Sequence, residues 1–258
     1  MSFLSRLRFL PTLMLVGTLA FGITACDNAV PDPDPNPNPN PNPNPEPLPN
    51  PAAGEIGAAY PNAGDSRIVL LNTDGDRFLL LNLVTGAVTD ADDLDDLENG
   101  LIPLNEVAAS ANVFGEDETY FFDMDGDTFT NYERDTADFD SPASFEDEYD
   151  EFGYDLTSIG AAFEGDFFAS NSIVLFNQNG TQWQLWQPEF DSFSTVFSFP
   201  AQFGGGNAPI SSVGAAFWRD ESNQVYLFNR EGTQYTIWSG GSSFTAAFDV
   251  DDLGNLDF

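Results

Sequence analysis

The sequence predicts an all-β protein built as a four-bladed β-propeller of about 52-residue repeats. Two landmarks recur with one period, and no segment sustains a helical pattern. The first landmark is a strand start: Ile56-Gly-Ala-Ala-Tyr60, Val107-Ala-Ala-Ser-Ala111, Ile159-Gly-Ala-Ala-Phe163 and Val213-Gly-Ala-Ala-Phe217, spaced by 51, 52 and 54 residues. The second is a turn glycine at Gly75, Gly126, Gly180 and Gly232, spaced by 51, 54 and 52 residues. Two independent landmarks on one period mark a repeat architecture. Four short strands per repeat, rich in β-branched and aromatic residues and punctuated by Asn and Gly, suggest propeller blades. A β-sandwich of paired repeats is the alternative arrangement of the same strands.

The elements follow in chain order. Residues 1–25 read as a targeting segment: Arg6 and Arg8 precede a short apolar run from Phe9 to Ala20, too short to span a bilayer. The run ends Ile23-Thr24-Ala25-Cys26, which resembles the bacterial lipobox. That resemblance implies that Cys26 becomes a lipidated N-terminus whose acyl chains anchor the protein in membrane lipid. The expected location is the bacterial cell envelope, at the outer membrane or cell surface. Residues 26–55 form a linker. From Pro31 to Pro51 every second residue is proline, which enforces extended polyproline II. At about 3.1 Å per residue the stalk reaches ~65 Å.

Residues 56–258 carry the four repeats, bounded as 56–106, 107–158, 159–212 and 213–258. Four strands are expected in each, at 160–164, 172–177, 182–187 and 194–199 in the third and at 214–218, 224–229, 234–238 and 244–250 in the fourth. The Gly-Ala-Ala start fits a strand lining a narrow axis, where only small side chains pass.

Val213-Gly-Ala-Ala-Phe217, Gln224-Val-Tyr-Leu-Phe-Asn229 and Tyr235-Thr-Ile-Trp238 together resemble a hemopexin repeat, the resemblance being strongest in the third and fourth repeats. It implies a four-bladed propeller with a cation in the central tunnel, Ca²⁺ or Na⁺, held by backbone carbonyls of the innermost strands. The candidate ring is Gly57, Ala108, Gly160 and Gly214, with a second at Ala59, Ser110, Ala162 and Ala216. The family places an aspartate where this chain has Gly57, Ala108, Gly160 and Gly214. Its disulfide between first and last blades has no counterpart, since Cys26 is the single cysteine. Ring closure is therefore expected from packing of Phe244, Ala247, Phe248 and Val250 against blade one.

Composition narrows function. The chain has 258 residues with 42 Asp+Glu against 7 Lys+Arg, no histidine and a net charge of −35. All seven basic residues are arginine. Histidine and lysine catalysis and Cys/His metal sites are excluded. A chain this acidic is no nucleic-acid binder. Acid excess without lysine resembles proteins of salt-adapted organisms, where ionic strength screens self-repulsion.

Asp123-Met-Asp125-Gly-Asp127 resembles bacterial calcium loops, with alternating carboxylates able to converge hard oxygens. Arg134 occupies the position that wants a bidentate Glu, and Gly126 aligns with the hairpin glycines, so an acid-rich turn is the competing reading. The acid clusters at Asp90–Glu98 and Glu146–Glu151 read as solvated faces. Trp183, Trp186, Trp218 and Trp238 read as packing between blades, with sugar stacking as the alternative. The favoured function is a non-catalytic binding or adhesion module taking a surface protein or glycan. The alternatives are a glycan-acting enzyme using paired carboxylates and a purely structural envelope component.

Overall fold

The computed structural model describes residues 56–256 apart from 62–66, 90, 101, 113–117, 134, 135, 137, 166, 167, 170, 220, 221, 254 and 255. Cys26 and the proline stalk lie outside the described residues.

Four antiparallel sheets form the blades. Blade one is β1 (Ile56–Pro61), β2 (Arg67–Asn72), β3 (Arg77–Asn82) and β4 (Asp92–Asp93). Blade two is β5 (Ala109–Asn112), β6 (Glu118–Phe122), β7 (Thr128–Glu133), β8 (Asp138–Phe139) and β9 (Ala143–Ser144). Blade three is β10 (Ile159–Glu164), β11 (Ile173–Asn177), β12 (Gln182–Gln187), β13 (Ser192–Phe193) and β14 (Phe197–Ser198). Blade four is β15 (Ala215–Arg219), β16 (Gln224–Phe228), β17 (Gln234–Trp238) and β18 (Phe248–Asp249). The first strands adjoin in a closed circle: β1 meets β5, β5 meets β10, β10 meets β15 and β15 meets β1.

Each hairpin between the second and third strands is closed by one device. The residue that ends the second strand, or directly follows it, turns its side-chain oxygen onto the turn's amides. Asn72 Oδ1 accepts from Asp76 and Arg77, Asn177 Oδ1 from Thr181 and Gln182, and Asn229 Oδ1 from Thr233 and Gln234, at 2.9–3.1 Å. Asn and Asp favour turns for this reason. The glycine that follows joins blade to blade. The amides of Val107, Ile159 and Val213, each opening the next repeat, donate to the carbonyls of Gly75, Gly126 and Gly180 at 3.0, 2.8 and 3.0 Å. Those glycines have φ of 70°, 73° and 65°, where a side chain is strained. A Cβ on Gly75 would stand 2.6 Å from the backbone N and O of Val107, and Cβ atoms on Gly126 and Gly180 would collide with Ile159 and Val213.

The outermost strand differs from expectation. Continuous strands at 194–199 and 244–250 are replaced by two short pieces, at 192–193 and 197–198 in blade three, and by a bridge at Phe244 with β18 in blade four. Between the pieces a hydroxyl enters the ladder. Thr89, Ser194 and Thr245 accept from the amides of Leu80, Leu185 and Ile237 at 2.9–3.0 Å. A short helical turn then begins in blades one, two and four, and a non-helical turn in blade three, unannounced by any helical period. The amides of Leu94, Phe145, Phe199 and Val250 donate to the carbonyls of Asp76, Asp127, Thr181 and Thr233 at 2.7–2.9 Å, and all four side chains are buried. In blade two this becomes α1 (Phe145–Tyr149), capped by Ser144 Oγ accepting from the Asp147 amide at 3.2 Å.

Four apolar cores fill the spaces between blades, and the innermost alanines supply both flanks of each blade. Ala58 packs between blades one and two, Ala59 between four and one. Ala161 and Ala216 share the core between three and four, whereas Ala162 faces two and Ala215 faces one. Alternate residues of a strand point to opposite sides, so these alanines are small because neighbouring blades converge on the first strands, and Ala59 and Ala111 also line the cavity where those strands end. The glycines before them also answer to something else. β1 and β10 carry bulges at Gly57 and Gly160. A Cβ on Gly57 would lie 2.6 Å from Asn72 O, and one on Gly160 2.5 Å from Gln178 Cα.

Closure of the ring also departs from expectation. Val250 does join Ile56, Leu70 and Leu79 with Phe217 and Phe228. Phe244 and Ala247 instead pack on the core between blades three and four, with Phe203 and Trp238, and Phe248 is exposed against Tyr235. The inner strands and the second strands carry the closure, because they have the large buried faces.

Gly180→Ala is expected to lower stability by roughly 2–4 kcal/mol, combining left-handed strain with the clash at Val213. Gly86→Ala has the same conformation (φ 69°) and open space around it, so it is expected to cost only ~1 kcal/mol; denaturant melts of both variants separate clash from strain. Burial, then repulsion from Glu146 and Asp127, holds the Tyr154 hydroxyl above its ordinary value of 10. The neutral form is therefore favoured by folding, its stabilisation is complete below pH ~10, and it is lost as pH rises further. Tyr154→Phe is expected to reduce the alkaline fall of stability by up to ~1.4 kcal/mol per pH unit, read from melts between pH 9 and 12. Part of the fall remains, since burial also raises Tyr235.

Candidate functional site

Two adjoining clefts form a groove on blade two. One, of about 340 Å³, is lined by residues 103–106 of the connection from blade one, by Asp123, Met124, Asp125 and Thr128, and by Pro142. The other, of about 240 Å³, runs from Pro103 along Asp138–Pro142. Pro103 and Pro142 belong to both. Carboxylates of Glu106, Asp123, Asp125, Asp138 and Asp140 stand along a floor stiffened by proline, with Phe139 as its aromatic edge. Charge and hydrogen-bond acceptors dominate, and the walls rest on β7 and the 123–128 hairpin.

The structure redefines the acid hairpin. Asp123 Oδ1 accepts from the amides of Gly126, Asp127 and Thr128 at 2.9, 3.2 and 3.1 Å, the role that asparagine has in the other three blades. Asp127 Oδ1 accepts from Thr128 Oγ1 at 3.2 Å, and Asp125 is exposed. Among the described residues, no three acidic or thiol side chains gather as a metal-holding group. The acids of 92–96 and 146–151 are exposed. Where a cation does meet this surface, Arg77 Nε lies 4.0 Å from Asp93 Oδ1.

All four tryptophans are buried, at 0–6% exposure. Trp186 packs between blades two and three, and Trp183, Trp218 and Trp238 between three and four. Trp238 Nε1 donates to Gly241 O at 2.9 Å. Their faces serve the cores and are closed to a stacked sugar.

Along the axis, main chain rather than side chain bounds the space. The innermost strand is the edge of its sheet, so peptide groups not used in its ladder face inward. β1 and β10, across the axis from one another, come within 8 Å Cα to Cα. Gly57, Ala108, Gly160 and Gly214 stand at or just before the starts of these innermost strands. At the strand ends, residues from all four blades enclose a cavity of about 10 Å³, among them Ala59, Ser110, Asn112, Glu164 and Trp218. Sequence reasoning passed over Glu164, because it stands outside every repeated landmark. Its only signal was its place directly after Ile159-Gly-Ala-Ala-Phe163.

No protein-family model and no curated protein matches the chain. Solved structures do. The hemopexin fold protein CP4 from cow pea aligns at 15% identity and TM-score 0.58, covering 77% of this chain and 95% of its own. The seed albumin LS24 from Lathyrus sativus aligns at 16% identity and TM-score 0.59, covering 78% and 95%. A plant lectin with two metal binding sites from Cicer arietinum aligns at 15% and 0.55, covering 77% and 94%. At such identities the likeness is one of fold, and that fold is the hemopexin-like four-bladed propeller.

Proposed function

We propose that this chain is a lipid-anchored protein of the bacterial cell envelope whose propeller is a non-catalytic binding module. The observation that carries the reading is the groove on blade two. It is a concave, acceptor-rich surface formed by loops on a rigid scaffold, the usual placement of binding residues. Its carboxylates suit sugar hydroxyls or a cationic protein segment, and its proline-stiffened walls lose little entropy on binding. The lectin from Cicer arietinum, and a plant albumin from the same plant whose structure is described as showing hemagglutination, support a binding use of this fold.

The stalk of residues 26–55 holds the module clear of the lipid, and the acid surface suits a saline medium. An axial Ca²⁺ or Na⁺ on the carbonyls of Gly57, Ala108, Gly160 and Gly214 would tie four strand starts together. Without histidine or lysine, catalysis would fall to carboxylates, and those of the groove stand on an open surface.

Two outcomes are expected. Cys26→Ser moves the protein from the membrane fraction to the soluble one in cell fractionation and detergent partitioning; unchanged partitioning overturns the anchor. On a glycan array and in pull-downs from envelope extracts, at low and high salt, the stalkless propeller captures a ligand, and Asp125→Asn with Asp140→Asn weakens capture at least tenfold. Capture unaffected by the double variant removes the groove from the reading.

A further inference from the structure

We propose that Met124 is a site of reversible oxidation, and that its sulfoxide loosens the joint between blades one and two. Met1, Met14 and Cys26 precede the repeats, so Met124 carries the only sulfur of residues 56–258. Its side chain is half-buried and lines the cleft of about 340 Å³, through which a small oxidant reaches it. The site is independent of what the groove captures.

The joint explains why that sulfur matters. Met124, Gln178 and Arg230 hold the same place, directly after the residue that caps each hairpin. Arg230 Nε donates to Gln178 O at 3.0 Å, and Gln178 Nε2 donates to Met124 O at 3.1 Å. Each of these side chains thus reaches back to the hairpin of the preceding blade. Met124 has no side-chain donor and reaches back with its methyl instead. A Cβ on Gly75 would stand 3.0 Å from Met124 Cε and 2.6 Å from Val107 N. At Gly126 and Gly180 the three atoms nearest such a Cβ all belong to the backbone of Ile159 or Val213. Of these three joints, the first alone has a side chain among its nearest atoms, beside the bond from Val107 N to Gly75 O.

The oxidant is a hydroperoxide. With hydrogen peroxide, Sδ attacks one oxygen, the O–O bond breaks, and the hydroxide released takes the proton from the new S–OH group and leaves as water. Sulfur loses two electrons and the peroxide gains them. A thiol-dependent sulfoxide reductase reverses the step: two thiols become a disulfide and the oxygen leaves as water. The thioether packs as an apolar group, whereas the sulfoxide is polar and accepts hydrogen bonds. Glu106, Asp123 and Asp125 line the same cleft, and their carboxylates are acceptors too. The new oxygen therefore turns to the water of the cleft and draws the methyl off Gly75.

The test treats the full chain with hydrogen peroxide, maps the added oxygen by peptide mass spectrometry, and follows thermal melts and amide NMR spectra. Wild type is expected to gain one oxygen at residue 124 and to melt about 3 °C lower. The amide signals of Gly75 and Val107 shift, while those of Gly180 and Val213 stay. Sulfoxide reductase with dithiothreitol restores both readouts. Met124→Leu keeps an apolar contact without sulfur, and peroxide leaves its melting unmoved. Met124→Gln, polar without oxidation, melts as low as the oxidised protein. No oxygen at residue 124 under conditions that fully oxidise free methionine overturns the site. Oxygen at residue 124 with unchanged melting overturns the effect on the joint, as does a peroxide-induced fall retained in Met124→Leu.

Discussion

The hairpin glycines of blades one, two and three lie so close to the opening residue of the next repeat that no side chain fits between them, and the rest of the ring depends on that approach. The carbonyls of Gly75, Gly126 and Gly180 take the amides of Val107, Ile159 and Val213. A backbone bond between consecutive blades sets the angle of each relative to the last. The same hairpin then offers its next carbonyl to Leu94, Phe145, Phe199 or Val250, which draws a large apolar side chain into place. One turn thus positions the following blade and plugs the edge of its own. The side-chain cap from Asn72, Asp123, Asn177 and Asn229 keeps the turn in that shape.

Small residues on the innermost strands follow from the convergence of blades. Four sheets radiating from one axis are closest at their first strands, and each such strand sends alternate side chains into two different cores. Alanine is what those wedge-shaped cores hold near the centre, while Phe122, Phe176, Leu71 and Phe228 fill them further out. The axis is left to peptide groups and to whatever polar residues stand at the strand ends.

Scarce cations are placed at joints. Arg230, in the turn of blade four, donates from Nε to Gln178 O in the turn of blade three at 3.0 Å. Gln178 Nε2 in turn reaches Met124 O in blade two at 3.1 Å. These links bridge hairpins at one end of the ring, where hydrogen bonds to carbonyls replace ion pairs. The carboxylates, by contrast, are spread over the outer loops, where water and salt meet them.

The sequence alone determined the repeat count, the strand order within a blade and the position of every hairpin glycine, because those depend on local rules: alternation, turn chemistry and periodicity. Asn-x-x-Gly between apolar runs has one economical shape, and three copies of it, with Asp-x-x-Gly in the second repeat, announce four blades. Only the tertiary structure decided which way the alanines face, that Asp123 serves as a turn cap, and that Phe244 and Ala247 turn toward blade three. It also decided where Glu164 and Ser110 stand relative to one another. They are 54 positions apart on strands of different blades, and no local rule connects them. Closing the ring brings them to one cavity, because equivalent ends of all four innermost strands must meet where the blades converge.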